Sequence, residues 1–318
     1  MSVYTTLSQA DMEALLAQFD LGELLSFKGI EAGIENTNYF VTSQQQACVL
    51  TVFEHHQSDE VREFVRFALH LGSKGLLVPA PIADRQGQWL HTVHGKPAIL
   101  CPLLQGHHIS APGDDHCYAI GAALANLHLA AADLAQERTD PRGFDWWQSM
   151  HASLGQSLSS DEQNLLADEV AHQRQQRAQW HELPQGWIHS DLFHDNALFV
   201  DNEQGAEVGA ILDLYNACQG PWLYDLAIVA NDWCCAANGQ WHDGLVEALK
   251  AGYQSVRPFT DAEQAGWSLV LRAAALRFWL SRLLTQQLQQ QQGGEMALQK
   301  DPAEYRDKLL LRRQSNNA

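Results

Sequence analysis

Basic residues are scarce in this chain. Twenty Lys and Arg face 38 Asp and Glu, a formal net charge of −18 over 318 residues. A surface that anionic repels phosphate backbones, which excludes nucleic acid as a partner. It also requires that any bound nucleotide be neutralised locally, most simply by a divalent metal. Cysteine is present but unpatterned. Cys48, Cys101, Cys117, Cys218, Cys234 and Cys235 include no Cys-x-x-Cys pair, and the adjacent Cys234 and Cys235 read as core packing in a reduced cytoplasm. Fifteen histidines include no His-Glu-x-x-His, so no zinc site is expected. No apolar run reaches spanning length. The nearest, residues 119–135, is interrupted by Asn126 and His128. The first residues lack the basic start and apolar core of a signal peptide, so the expected location is the cytoplasm.

What remains is an ordinary globular mixture, 46% hydrophobic and 18% charged, able to bury a core. A first helix is signalled by Ser8 as cap, Asp11 at the reciprocal third position and Leu7 stapled to Met12. Short β-rich runs follow at 25–30, 39–42 and 48–53, with a glycine-bearing turn at 31–36 between the first two. A helical pattern spans 59–72, and two further strand-like runs end at Pro102. From about His116 the pattern is mostly helical, with long helices expected over 114–134, 161–181, 223–235 and 262–292 and one β interruption at 187–214. The expectation is an α+β chain. A small β-rich lobe at 1–101 crosses over at Cys101-Pro102 into a larger helical lobe at 102–318.

The segment that carries chemistry is Trp187-Ile188-His189-Ser190-Asp191-Leu192-Phe193-His194-Asp195-Asn196-Ala197-Leu198-Phe199-Val200. It reads strand, polar loop, strand, which puts a few polar side chains at the edge of a rigid frame. The later run Val208-Gly209-Ala210-Ile211-Leu212-Asp213 folds back as a hairpin with its tip near Gln204, setting Asn196 opposite residue 212 or 213. If Asp213 is the partner, an amide oxygen and a carboxylate can share one Mg²⁺. Asp191 is then placed to accept a hydrogen bond from a substrate hydroxyl. The spacing His-x-Asp-x-x-x-x-Asn fixes three positions and arises by chance in a chain this long roughly one time in thirty. Its flanking strands lower that figure. His189 reads as a buried pin for the loop rather than a reacting group.

Residues 189–196 followed by Ile211-Leu212-Asp213 resemble the catalytic signature of the aminoglycoside phosphotransferase and choline kinase superfamily, whose fold is the two-lobed protein-kinase-like one. Three stretches resemble, within it, the bacterial homoserine kinases: Gly33-Ile34-Glu35-Asn36-Thr37-Asn38-Tyr39-Phe40; Asp213-Leu214-Tyr215-Asn216-Ala217-Cys218 with Leu223-Tyr224-Asp225-Leu226-Ala227; and residues 272–282. The resemblance implies an ATP- and Mg²⁺-dependent kinase phosphorylating homoserine. It implies Asp191 as catalytic base, and Asn196 and Asp213 as Mg²⁺ ligands. Gly33, Glu35, Asn36 and Asn38 would cover the phosphates, Leu100 and Leu103 would border the adenine, and Asp225 would brace the catalytic loop.

Two departures stand out. Thr51 occupies the position where the superfamily often has a phosphate-binding lysine, which leaves Glu60 or Glu63 without the partner of a kinase-type ion pair. Lys28 is a candidate substitute. The usual Asp-Phe-Gly is replaced by Asp213-Leu214-Tyr215. On the substrate side, a zwitterion needs a cation for its carboxylate. Arg277, set in apolar sequence, is either that cation or half of a structural pair with a carboxylate such as Asp232. Arg272 and Arg282 are alternatives, Tyr215, Asn231 and Asp232 further contact candidates, and Trp146-Trp147 either lines the cleft or packs in the core. Kinases for an aminoglycoside, choline or a sugar alcohol, and a silent nucleotide-binding pseudokinase, are the competing readings.

Overall fold

The computed structural model describes residues 3–31, 36–135, 137–154, 157–202, 205–236, 238–292 and 300–314. The chain divides into two compact units, the first being Met1–Gly106 with Gly209–Tyr215, the second His107–Val208 with Asn216–Ala318.

In the first unit, helix α1 (Gln9–Leu16) starts on the cap read from its sequence. Ser8 Oγ accepts the Asp11 N–H at 3.2 Å, and the Asp11 carboxylate accepts the Ser8 N–H at 2.8 Å. Leu7 and Met12 bury together in one cluster. Strands β1 (Leu24–Ile30), β2 (Thr37–Ser43), β3 (Ala47–Val52), β4 (His91–Val93) and β5 (Lys96–Pro102) form one antiparallel sheet, ordered β1-β2-β3-β5-β4. The period of two sorts its side chains. Tyr39, Val41, Leu50, Val52, Ala98 and Leu100 pack with Met12, Leu15 and Leu16 of α1. Ile99 and Cys101 face the other way, toward Phe53 and the Val61, Phe64 and Val65 of α2 (Ser58–Ser73). Each Val, Leu, Ile, Phe or Met among them, fully buried, contributes roughly 1.5–3 kcal/mol.

The second unit is helical around two short β pairs. Its helices are α3 (Asp114–Ala130), α4 (Phe144–Leu154), α5 (Ser160–Gln175), α6 (Arg177–Glu182), α7 (Trp222–Trp233), α8 (Asp243–Val256), α9 (Asp261–Gln292) and α10 (Pro302–Gln314). Strand β6 (Gln185–Ile188) pairs with β9 (Cys218–Pro221), and β7 (Ala197–Asn202) with β8 (Gly205–Ile211), whose last three residues count with the first unit. The hairpin tip expected near Gln204 lies outside the described residues. Along α9, Val270, Leu271 and the run Ala273–Leu280 are buried on every side, which makes this helix the axis of the unit. The single helix expected over 161–181 is two, parted at Gln176, which caps the end of α5 and the start of α6. Strand β9 was not expected, nor were the bounds of α4, α8 and α10. No described helix is long and apolar enough to cross a membrane.

Candidate active site

The polar loop leaves β6 at Ile188 and is built around one buried carboxylate. Asp225, fully buried on α7, accepts the N–H of His189 at 2.7 Å and of Ser190 at 2.8 Å. Ser190 sits at φ +66°, a left-handed conformation costing a serine on the order of 1–3 kcal/mol. Two hydrogen bonds to a charged acceptor, each about 1.5–3 kcal/mol, outweigh that strain. His128 on α3 gives Asp225 a third contact through Nε2 at 3.0 Å and meets the Tyr253 hydroxyl through Nδ1 at 2.8 Å. Burial holds the His128 imidazole below its ordinary pKa. A neutral ring donating to Asp225 and accepting from Tyr253 satisfies all three groups. Burial pushes the Asp225 carboxyl up, but the His128 and His189 contacts more than reverse this and keep it ionised.

The loop then presents Asp191. Its N–H donates to His189 Nδ1 at 3.2 Å and its carbonyl accepts from Asn196 Nδ2 at 2.8 Å, so His189, fully buried, and Asn196 hold its backbone from both sides. Asn196 thereby commits its nitrogen and keeps its amide oxygen, a hard donor that could hold a cation. The Asp191 side chain keeps 22% of its exposure, with Asn216 Nδ2 donating to Oδ2 at 3.1 Å.

Arg277 on α9 lies against the same carboxylate, Nη1 to Oδ1 at 3.6 Å. Charge-assisted pairs close to about 2.7–2.9 Å, so this contact is electrostatic without being a hydrogen bond. Arg277 Nη1 is buried with no hydrogen-bond partner among the described residues. Burial disfavours its charge, but Asp191, Tyr224 and Asp140 outweigh the burial and raise its pKa. The structural partner weighed for it, Asp232, is engaged elsewhere. Asp232 accepts both the N–H of His194, at 2.8 Å, and its Nδ1, at 2.7 Å. The alternatives are likewise committed, Arg272 to Glu169 at 2.6 Å and Arg282 to Glu304 at 2.6 Å. Asn231, fully buried, bonds the Leu271 carbonyl and Arg312 Nε, tying α7 to α9 and α10. α7 thus turns Asn231, expected as a substrate contact, inward.

In the first unit, Thr51 and Asn38 are cross-strand partners, and Thr51 Oγ1 donates to Asn38 Oδ1 at 2.7 Å. Tyr215 joins them. Its ring stands edge-on to Phe53 at 5.0 Å, its hydroxyl bonds Thr51, and burial pushes the phenol pKa up. The position of the superfamily's lysine is therefore a neutral hydroxyl–amide cluster, and the ring of Tyr215, half-buried, packs against Phe53 and the Phe64 of α2. Lys28 is exposed on the sheet face that carries Thr51 and Asn38, one cross-strand row away. Glu60 is occupied as a cap, accepting the Gln57 N–H at 2.9 Å. Asp213 takes φ +54°, tolerable for Asp.

Asn36 is buried, and its Oδ1 accepts the Glu54 N–H at 3.4 Å. Gly33 and Glu35 lie outside the described residues. Leu100, in the stretch expected beside adenine, turns its side chain into the α1 core, while Ile99 and Cys101 take the other face. The Leu103 N–H continues the sheet, donating to the Ala47 carbonyl at 3.0 Å. Among the described residues no three His, Cys, Asp or Glu gather as a metal site.

The phosphotransferase enzyme family matches residues 26–259. A homoserine kinase of Neisseria meningitidis serogroup B is 41% identical over 310 residues, covering 98% of this chain and 99% of the relative. The chain belongs to this family. It is a phosphotransferase, and its homoserine kinase relatives align from end to end. Solved structures similar to it include an amicoumacin kinase in complex with AMP-PNP and Ca²⁺ (TM-score 0.69, 14% identity, 97% of this chain and 93% of that one). Another is a choline kinase from Cryptosporidium parvum (TM-score 0.68, 12% identity, 98% and 96%). The family's protein-kinase-like α+β fold is the fold of this chain.

Sequence reasoning passed over Asn216 as an individual residue beside Asp191, although it stands in a stretch that carried the resemblance. Its signal was adjacency, because Asn216 follows Tyr215 in the loop after Asp213.

Proposed function

We propose that this protein transfers the γ-phosphoryl group of ATP to the side-chain hydroxyl of L-homoserine, giving O-phospho-L-homoserine on the route to threonine, in the cytoplasm. The observation that carries this reading is Arg277. Its buried guanidinium lies 3.6 Å from Asp191 with Nη1 uncommitted. A fixed cation beside the base suits an alcohol that also bears a carboxylate, and it opposes the cationic choline or aminoglycoside.

Asp191 accepts the hydrogen bond of the substrate hydroxyl and orients its oxygen toward the γ-phosphorus. That oxygen forms the new P–O bond while the bond from the γ-phosphorus to the β,γ-bridging oxygen breaks, and ADP leaves with the electron pair. The hydroxyl proton passes to Asp191. Because the transition state is loose, this transfer comes late and an ordinary carboxylate suffices. Asn216 and Arg277 hold the carboxylate in place while His189 and Asn196 hold its backbone. Asn196 and Asp213 are the proposed Mg²⁺ ligands, both hard oxygen donors, and the ion when bound offsets the charge of the β- and γ-phosphates in this acidic protein.

The test is coupled ADP release with MgATP and a panel of homoserine, serine, threonine, choline and kanamycin. Turnover on homoserine alone is expected. Turnover on choline or kanamycin with homoserine inert overturns the substrate, and ATP binding without turnover on any member overturns the enzyme.

A further inference from the structure

We propose that Tyr305 of α10 is a positioning residue for phosphoryl transfer, its ring clamping Phe193 of the loop that carries Asp191 and Asn196. The proposal rests on the reading above, in which that loop does the chemistry, and adds the element that holds it from outside.

Phe193 stands midway along the loop, and its backbone ties Asp191 to Asn196. Its N–H donates to the Asp191 carbonyl at 2.8 Å, and its carbonyl accepts the Asn196 N–H at 2.9 Å. A shift of Phe193 therefore moves both. The loop's regular structure is a single 3-10 turn (His194–Asn196), so packing of its side chains must fix it in place.

The Phe193 side chain is buried against two rings. Phe278 of α9 lies 4.6 Å from it, tilted by 45°, and Tyr305 lies 6.1 Å from it, stacked within 7° of parallel. Phe278 and Tyr305 also meet each other, at 5.3 Å. Ring pairs hold to a few geometries at centroid separations of about 4.5–7 Å, so three rings in mutual contact define one another's places. Phe278 extends the cluster to Arg277, whose guanidinium carbon lies 3.9 Å from the Phe278 ring centre. One aromatic cluster thus touches both the loop of the base and the cation beside the base.

Tyr305 is held in turn. It is fully buried, and Arg282 and Lys308 lie over its ring at 4.5 and 4.3 Å. Glu304 fixes both cations, accepting from each at 2.6 Å. Just before α10, Lys300 reaches the loop directly. Its Nζ lies 5.1 Å from the Phe193 ring centre and donates to Asp195 Oδ2 at 3.1 Å. The Tyr305 hydroxyl has no hydrogen-bond partner among the described residues, so the position uses the ring and not the hydroxyl.

The experiment measures steady-state kinetics with MgATP and L-homoserine for wild type, Tyr305→Phe, Tyr305→Met and Lys300→Gln, with kcat counted per folded molecule from urea denaturation. Methionine fills the space with a flexible chain in place of a rigid ring. In Tyr305→Met, kcat is expected to fall about ten- to a hundredfold, the scale of loss from a displacement of about 1 Å, with the KM for ATP unchanged. Tyr305→Phe should restore wild-type kcat. Lys300 is half exposed, so Lys300→Gln spares the fold, and kcat should fall about two- to fivefold with the loss of one exposed cation contact. Wild-type kcat per folded molecule in Tyr305→Met, or an equal loss in Tyr305→Phe, overturns the clamp. Should Tyr305→Met fail to fold, an unchanged kcat in Lys300→Gln overturns it instead. Asp191→Asn is the control on the parent reading: full activity there removes the loop from the chemistry, and the clamp falls with it. If wild type phosphorylates another alcohol in place of homoserine, the same comparison on that alcohol tests the clamp, which acts on the loop.

Discussion

At the scale of single residues, the site depends on where buried charge is satisfied. Asp225 holds two backbone N–H groups, and Asp225→Asn can hold only one of them while turning an amide N–H toward the other or toward His128. The expected cost is about 1–3 kcal/mol of stability by urea denaturation, with kcat falling and the KM for ATP unchanged as the loop loosens. His194 gives a pH dependence. Its hydrogen bond to Asp232 outweighs burial and raises the imidazole pKa above its ordinary value. A raised folded-state pKa stabilises the fold fully below the unfolded value of about 6.5, and this contribution is lost as pH rises through the folded value. Wild-type stability should therefore decline across that window. In Asp232→Asn the decline should flatten, and the NMR titration of His194 should move to lower pH. A titration unmoved by the substitution would mean that Asp232 does not set the His194 charge.

At the scale of elements, the closest approach is the crossing of α3 and α8, where two glycines replace side chains with backbone. A Cβ on Gly252 would stand 1.9 Å from the Tyr118 carbonyl oxygen, and one on Gly121 2.2 Å from the Leu249 oxygen. Neither obstacle is a flexible side-chain tip, so Gly252→Ala must part the helices. The expected loss is about 1–3 kcal/mol or more, read as a lower urea midpoint. His128 lies seven residues beyond Gly121, on the same face of α3, and that face carries the contact to Asp225. The variant should therefore lose activity out of proportion to its unfolded fraction. Full specific activity in the folded fraction would show that α3 can shift without disturbing the loop.

The same scale shows what was legible. The α1 cap was readable because Ser8 and Asp11 act within one turn. Strands β1, β2, β3 and β5 were readable as short apolar and β-branched runs bounded by turn residues, with a clean period of two only in β2. The break at Gln176 was not, since no Gly or Pro marks it. It sits where Trp180 turns to donate to Gln173 Oε1 at 3.1 Å, a contact without a sequence signature. Strand β9, four residues containing Gly and Pro, exists through its pairing with β6 and carries too little pattern of its own.

At the scale of the whole molecule, charge dominates the expected response to conditions. A net charge of −18 disfavours the compact state by self-repulsion. Raising NaCl from about 0.1 M to about 1 M shortens the Debye length from about 10 Å to about 3 Å. This should stabilise the protein by about 1 kcal/mol, a rise in Tm of about 1–2 °C for a chain of this length. A fall in Tm would mean that surface ion pairs such as Lys300–Asp195, at 3.1 Å, contribute more than the repulsion removes.

By itself, the sequence determined the fold class, the family and the identity of the loop carrying Asp191 and Asn196, because these depend on residue types at fixed local spacing. The tertiary structure decided the partners. Leu100 entered the α1 core through the face its strand presents, Asn231 became a tie between three helices, and Thr51 joined a neutral cluster with Asn38 and Tyr215. It also set Arg277, 86 residues further along the chain, beside Asp191. Spacing along a chain specifies which groups are available. Which of them meet, and which remain unmatched, depends on burial and on packing between segments far apart in sequence.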